Sequence, residues 1–479
     1  MSNVEQDRGA TAARPIGNLS EQIAFNPVDP KAALSQLPQA SAVFALYGAE
    51  AHAEPYVGRT PNLRARLERL LQPSPKHPRR LQLAGRVRRI AWRLTGSDFE
   101  SLLVQFDFLE SIYGAKALER MHLRHPAFVR FLGDNPYPRV TVTFRPSLRQ
   151  ANWAYGPFPS RAAAERFVEE ALKLFLLRRC TFDLAPDPRY PGCVYSEMKM
   201  CLAPCFKGCS DDRYAEESAA VENFLATRGE SRLLALRAQR DEASANLEFE
   251  RAAALHTQVQ RVESVRALAA ELVRPLSRLC AIILQPAANP DEVAVFCFEG
   301  GCLRGPTAFS TLGMRIQNEQ SGSTSLFAQP LAIEPVPEEA GSRDQESGVR
   351  GLGSGVGGQG ATDVSSAEGD ALARPSPAAT RLARGVLESR LQETLGALCE
   401  PSKAPSAAER QGHLALLKRW YYRPETRRNG EIFFPDAENH WPIKAVLRGI
   451  GRVAASSLIS RPSMPTERPS QSRNQAPSG

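Results

Sequence analysis

Five of the nine cysteines in this 479-residue chain fall between Cys180 and Cys209, and four of them have a spacing that metal chemistry can use. Cys180, Cys193, Cys201 and Cys205 are separated by gaps of twelve, seven and three residues, the last pair lying within one turn of each other in Cys201-Leu-Ala-Pro-Cys205. Thiolates so placed can converge on one soft metal centre, and four-cysteine sites serve both iron-sulfur clusters and structural zinc. Zinc favours two short-gapped knuckles and only one short gap is present, which tilts the reading towards a cluster, although spacing alone does not separate the two. Cys209 is then a spare thiol, and four buried free cysteines are the plain alternative. Two further stretches invite a chemical reading. Asn246-Leu-Glu-Phe-Glu-Arg-Ala-Ala253 joins two helical segments, with Asn246 as a cap and Leu247 and Phe249 at the apex. Lys418-Arg-Trp-Tyr-Tyr-Arg423, followed by Arg427-Arg428, interleaves aromatics with cations, a mixture that stacks on bases and contacts phosphate in single-strand binders. A simple helix pair and a buried aromatic helix explain these two stretches as well.

The elements that must position these residues follow from periodicity. A periodic helix over Arg161 to Leu177 leads straight into Cys180, and the charged, breaker-poor run from Arg213 to Leu272 reads as helices turning near Asn246. Upstream, Ala42-Val-Phe-Ala-Leu-Tyr47, Pro55-Tyr-Val-Gly58 and the basic amphipathic run Asn62 to Leu71 predict strand, strand and helix in a small α/β unit. That unit extends through an apolar helix over Phe99 to Tyr113 to the proline corner at Asn135 to Pro138. Leu279 to Leu312 alternates, with Gly300-Gly301 as a hairpin turn, whereas Glu334 to about Thr380 is too rich in Gly, Ser, Ala and Glu to pack a core. The domain organisation expected is a flexible N-terminus (1–40), an α/β unit (41–138), a helix with the cysteine-rich region (139–212), a helical hairpin region (213–272), a small β region (273–333), a disordered linker (334–380), a small helical basic unit (381–460) and a disordered tail (461–479).

Composition excludes some classes and favours others. With 42% hydrophobic residues the chain can bury more than one core, so the fold class expected is multi-domain, α/β plus α. Met1 to Pro30 lacks an apolar signal region and no uninterrupted apolar run reaches membrane-span length, which predicts a cytoplasmic protein with no membrane partner. A net charge of +8 suits a polyanionic partner.

The block Leu177-Arg-Arg-Cys180, Pro191-Gly-Cys193, Cys201-Leu-Ala-Pro-Cys205 resembles the cysteine-rich region of the UvrC family, the incision subunits of bacterial nucleotide excision repair. The resemblance implies that Cys180, Cys193, Cys201 and Cys205 ligate a 4Fe-4S cluster, with zinc as the alternative. The hairpin at Asn246 to Ala253 is similar to that family's UVR motif, which implies that Asn246, Leu247, Phe249 and Arg251 contact UvrB. The unit from Ala42 to Pro138 resembles the family's GIY-YIG nuclease domain. There Tyr56-Val-Gly58 matches the second half of the signature, Arg59 stands at a usual lysine, and Arg66 in Asn62-Leu-Arg-Ala-Arg66 matches the phosphate-contacting arginine.

That chemistry is metal-assisted phosphodiester hydrolysis, and several parts of it are missing here. Phe44 replaces the first tyrosine, and aligning Glu100-Ser-Leu-Leu-Val-Gln105 with the family pattern puts Gln105 at the metal-binding glutamate. A neutral amide forfeits the anionic charge that Mg²⁺ normally draws from protein, so Mg²⁺ binding is doubtful. Phe128 or Val129 lies nearest to an expected asparagine, and no counterpart of the family's RNase H-type nuclease or helix-hairpin-helix motifs is found. Glu100, Asp107 or Glu110 could supply a displaced carboxylate. The expectation is a shortened UvrC-like repair protein that binds UvrB and damaged DNA with nuclease activity weak or lost. The alternatives are an active single-incision endonuclease and a non-catalytic adaptor that competes with intact UvrC for UvrB.

Overall fold

The structure is a computed structural model that describes residues 19–50, 53–71, 83–311, 377–399, 405–436 and 438–459. Residues up to 311 together with 391–479 make one compact unit, and residues 312–390 make another, of which only 377–390 are described. The linker expected at 334–380 therefore lies almost wholly outside the described residues, as does the tail 461–479. No helix among the described residues is long and apolar enough to cross a membrane.

The first sheet has the antiparallel order β1-β4-β2-β3, built from β1 (Glu21–Ala24), β2 (Ala42–Tyr47), β3 (Tyr56–Thr60) and β4 (Arg89–Leu94). Helices α1 (Pro30–Ser35) and α2 (Leu63–Leu71) cover one face, where Leu34, Phe44, Leu46, Leu63, Leu67 and Trp92 share a core. The long helix α3 (Asp98–Tyr113) packs on the other face, beneath β2 and β3. Burial on both faces explains why Ala42–Leu46 is an unbroken apolar run rather than an alternating one. The expectation that residues 1–40 are flexible is corrected for the described residues 19–40: Glu21–Ala24 pairs with Trp92–Arg89, and Ala33 and Leu34 of α1 are buried in the same core as Phe44. A four-residue edge strand carries too little periodicity to be read from sequence.

A second sheet, β6-β5-β7-β8, holds β5 (Ala127–Phe131), β6 (Val140–Thr143), β7 (Ala154–Phe158) and the two-residue β8 (Arg274–Pro275), with the short helix α4 (Ala117–Arg120) just before it. Ala127, Val129 and Phe131 face a core made with α5 (Arg161–Ala171), α7 (Asp211–Ala226), α8 (Glu230–Ala245) and α9 (Phe249–Ala267), whereas Phe128 turns the opposite way. Between α5 and α7 lies the cysteine region with its single-turn helix α6 (Val194–Glu197). Because β5 pairs with both β6 and β7, the boundary expected at 138 cuts through a sheet. The helix expected to run to Leu177 ends at Ala171 and one short turn, after which the chain becomes extended at Phe175.

The third sheet has the order β11-β10-β9-β12, from β9 (Ala281–Pro286), β10 (Glu292–Glu299), β11 (Cys302–Ser310) and β12 (Glu431–Phe433). Gly300 and Gly301 both take positive φ in the β10–β11 turn, a geometry in which a Cβ would be strained. Strand β12 pairs antiparallel with β9, Ile432 opposite Ile283, between α11 (Ala407–Tyr421) and α12 (Ile443–Ile459). Among the described residues, 281–310 and 431–433 therefore share one sheet, so the β region and the C-terminal helical unit expected as separate are joined there. The partner of the β9 edge lies about 150 residues downstream, and no local pattern announces such a pairing. Helix α11 also crosses α3 so closely that a Cβ on Gly412 would fall 1.9 Å from the Phe106 ring. Phe99 of α3 stands 5.3 Å by ring centroid from both Phe296 of β10 and Trp420 of α11, so α3, which packs on the first sheet, shares a core with the third sheet. Helix α10 (Pro377–Cys399) precedes α11 and begins inside the stretch expected to be linker.

Candidate functional site

Cys180, Cys193, Cys201 and Cys205 line one recess of about 280 Å³ with Arg178, Arg179, Phe182, Leu184, Tyr195 and Pro204. Backbone bonds hold the loops in place: the Leu202 amide donates to Leu176 O at 3.0 Å and the Asp187 amide to Cys205 O at 2.9 Å. Gly192 takes φ +89° just before Cys193, and Ala203 sits in the left-handed region at φ +57°, which aims its N–H at Cys201 Sγ, 3.3 Å away. Burial pushes the Cys201 thiol up to about 11, and the neighbouring thiols add to the shift. Arg178, 1% exposed, closes the floor. Its Nε donates to Tyr137 O and its Nη1 to Phe182 O, both at 2.9 Å, and Nη1 lies 3.4 Å from Cys180 Sγ. Its Nη2 is buried without a hydrogen-bond partner. A buried, incompletely satisfied guanidinium beside four thiols suits a net-negative thiolate centre. Among the described residues three groups bring three ligand atoms within 4.8 Å of one another, and none is drawn from these four cysteines.

The second feature is the α8–α9 hairpin. Helix α8 ends at Asn246, whose backbone N–H donates to Glu242 O, so Asn246 closes the first helix and does not open the second. Glu248 precedes α9 and makes no side-chain cap. Leu247, at φ +61°, and Phe249 form a bare apex, 71% and 66% exposed, and Arg251 pairs with Glu248 at 2.8 Å beside them. Sequence reading found these residues because large apolar side chains at a helix break stand out.

The third feature is the nuclease-like unit. The register sets Tyr56 opposite Leu46 and Gly58 opposite Phe44, so Tyr56 and Phe44 share the sheet face that carries α2 and Arg66. Their rings stand 6.2 Å apart, and Phe44 is buried with its ring against Gly58. Arg59, three residues after Tyr56, points to the α3 face, where it pairs with Asp98. Asp98 also binds Arg423 at 2.6 Å, and burial together with Arg419 and Arg423 holds the Arg59 pKa down. Gln105 is half-buried on α3. Asp98, Arg419 and Arg423 were missed as members of this site, because the C-terminal segment reaches it only through the third sheet.

Two of the three carboxylates named as substitutes have other partners. Glu100 is buried, accepts from the Gly96 amide at 2.8 Å, and burial raises its pKa. Asp107 Oδ1 lies 3.3 Å from His413 Nε2, and Glu110 is half-buried on the last turns of α3. The stacking surface expected at 418–423 is also corrected. Trp420 is 2% exposed with its Nε1 donating to Asn429 O, the Tyr422 hydroxyl donates to Pro157 O, and Lys418 Nζ reaches the Arg124 and His125 carbonyls. Fully burying one such aromatic is worth roughly 1.5–3 kcal/mol, more than an exposed platform would contribute to the fold.

Comparison with known proteins falls on the same boundaries. Residues 128–224 match the UvrC/Cho excinuclease middle domain, which here runs from β5 to α7 and contains all four cysteines of the recess. Residues 230–265 match the UvrB/UvrC motif, the α8–α9 hairpin. Residues 128–265 are thus similar to UvrC-family proteins. The UvrABC system protein C of Alcanivorax borkumensis is 28% identical over 238 residues, half of this chain and 39% of that protein. The counterpart from Symbiobacterium thermophilum is 28% identical over 277 residues, 57% of this chain and 43% of its own length. The Ruminiclostridium cellulolyticum protein is 26% identical over 234 residues, 48% and 38% of the two chains. The chain thus spans less than half the length of the curated relatives it matches. No solved structure matches it.

Glu100 offers a direct check on the site. As a buried acceptor for Gly96 whose charge is disfavoured, it should tolerate glutamine, whose amide oxygen can accept the same bond. Glu100→Gln is expected to leave thermal stability at neutral pH unchanged or slightly raised, whereas Glu100→Ala should lose about 1 kcal/mol by denaturant unfolding. Stability lost equally in both variants would show that the charge itself is needed there.

Proposed function

We propose that this chain is a nucleotide-excision-repair protein of UvrC type that docks on UvrB through the α8–α9 apex, acts at damaged DNA, is braced by a 4Fe-4S cluster on Cys180, Cys193, Cys201 and Cys205, and cleaves weakly or not at all. The observation that carries this reading is the bare Leu247 and Phe249 apex on a segment matching the UvrB/UvrC motif. Water-exposed apolar residues of this size at a hairpin tip gain a burial site when a complementary helix pair covers them.

The cluster is supported by four thiols around one recess, by the Ala203 N–H aimed at Cys201 Sγ, and by the partnerless Arg178 Nη2. When bound, such a cluster supplies four iron–thiolate bonds that link the segment after α5 to the loop before α7. Arg178 and Ala203 would orient and neutralise the ligand sulfurs. Loss of cleavage is supported by Phe44, which has no hydroxyl, by Gln105, and by the engagement of Asp98, Glu100 and Asp107 with neighbours inside the fold. Arg59, Arg419 and Arg423 around a single Asp98 leave a net positive patch that suits a DNA backbone.

Three outcomes test this. Phe249→Ala should weaken UvrB binding about tenfold or more, equivalent to roughly 1.4 kcal/mol, in a titration of the full chain; unchanged affinity discards the docking role. Anaerobic purification should give about four irons per chain, lost in Cys201→Ser; a colourless protein whose zinc instead falls in that variant removes the cluster. Nicking assays with Mg²⁺ or Mn²⁺ should show no more than trace incision, and clear cleavage abolished by Tyr56→Phe or Arg66→Ala overturns the assignment of a weak or lost nuclease.

A further inference from the structure

Cys280, Cys297, Cys302 and Cys399 lie outside the recess, in or against the third sheet. Cys297 is fully buried in the middle of β10, and its Sγ is 3.0 Å from Sγ of Cys399, the last residue of α10. That is well inside the roughly 3.5–4.0 Å of ordinary non-bonded contact. Glu299 is two residues further along β10, on the same face, and its carboxylate lies within 4.8 Å of both sulfurs. Cys280 stands just before β9, next to Ala281, which pairs with Phe298. The register carries Cys280 beside Glu299 at the end of the β9–β10 pair, although its Sγ lies outside the set of atoms within 4.8 Å of one another, which is that of Cys297, Glu299 and Cys399. Arg304 lies 3.6 Å from Glu299 and donates to Cys399 O at 2.9 Å, and Arg274 flanks Cys280.

Two other groups have comparable spacing and fail on inspection. In Cys302, Glu409 and His413, the Leu303 amide donates to His413 Nδ1, Nε2 faces Asp107, and Glu409 accepts from the Ser406 amide in a capping box. Asp436, Glu438 and His440 form an exposed turn closed by bonds from the Glu438 and His440 amides to Asp436. In the first group the two sulfurs face each other.

We propose that Cys297, Cys399 and Glu299, with Cys280 as fourth ligand, bind one zinc ion that fastens the end of α10 to the third sheet. Three sulfurs and one carboxylate match zinc's borderline-soft preference and its tetrahedral coordination, and they suit neither magnesium nor calcium. Binding releases three thiol protons to solvent, and the ion with three thiolates and a carboxylate carries two negative charges. Arg304 and Arg274 are placed to balance them. The ligands come from three separate segments, so the ion would act as a cross-link of the kind that closes a long chain excursion.

The test measures zinc and iron together in the full chain purified anaerobically. One zinc per chain is expected, retained in Cys201→Ser and lost in the double variant Cys297→Ser, Cys399→Ser, whose iron stays unchanged. Glu299→Gln should release zinc to a competing chelator at least about tenfold more readily. Should the double variant not fold, cobalt(II) added to the Cys201→Ser protein decides, since a tetrahedral thiolate spectrum displaced by zinc is expected. Absence of that spectrum, absence of zinc from the wild-type chain, zinc unchanged in the folded double variant, or a Cys297–Cys399 disulfide in the alkylated, anaerobically purified protein overturns the proposal. Because the four-cysteine reading is scored on iron, either can fail alone.

Discussion

A guanidinium cannot be left in a protein interior without acceptors, and Arg178 is almost completely buried where three parts of the chain meet. Its side chain binds the carbonyl of Tyr137 at the corner between β5 and β6 and that of Phe182 in the cysteine region. Its own amide donates to the Tyr214 hydroxyl on α7. The Tyr214 hydroxyl in turn donates to Pro138 O at 2.8 Å. Charge-assisted bonds of this kind are worth about 1.5–3 kcal/mol each, while an unpaired buried charge costs several. The loops that carry the cysteines are therefore fixed in large part by what this one cation requires.

The same segment shows why the cysteines converge. Phe175 and Leu177 are buried against α7, so the chain before Cys180 must leave helical geometry to place them, and α5 stops at Ala171. The Leu176 carbonyl of that extended stretch receives the Leu202 amide, which brings the Cys201 turn alongside Cys180. Packing of two apolar side chains thus helps set where Cys180 and Cys201 lie.

What could be read from sequence follows the range of the interaction responsible. The strands at Ala42–Tyr47 and Tyr56–Thr60, the hairpin turn at Gly300-Gly301 and the helix break at Asn246 arise from neighbours in sequence, and the structure has elements at those places. The four cysteines were visible because their spacing is local. The pairing of Ile432 with Ile283 and the seat of Trp420 on Phe99 were not visible, since each joins residues remote in the chain. Lys418 to Arg423 reads as a nucleic-acid surface when only the sequence is weighed. In the fold its aromatics close a core and its arginine meets Asp98.

That last contact bears on what holds the start of α3 in place. Asp98 opens α3, where a carboxylate also complements the helix dipole, and it holds Arg59 from the first sheet and Arg423 from the C-terminal segment at once. Ser97 caps the same helix and Glu100 bonds back to Gly96. The carboxylates at the start of α3 thereby join the first sheet to the C-terminal segment. Because each has a partner within the fold, packing and pairing alone account for the polar residues at this helix start, and the positive charge of Arg59, Arg419 and Arg423 stays gathered beside it.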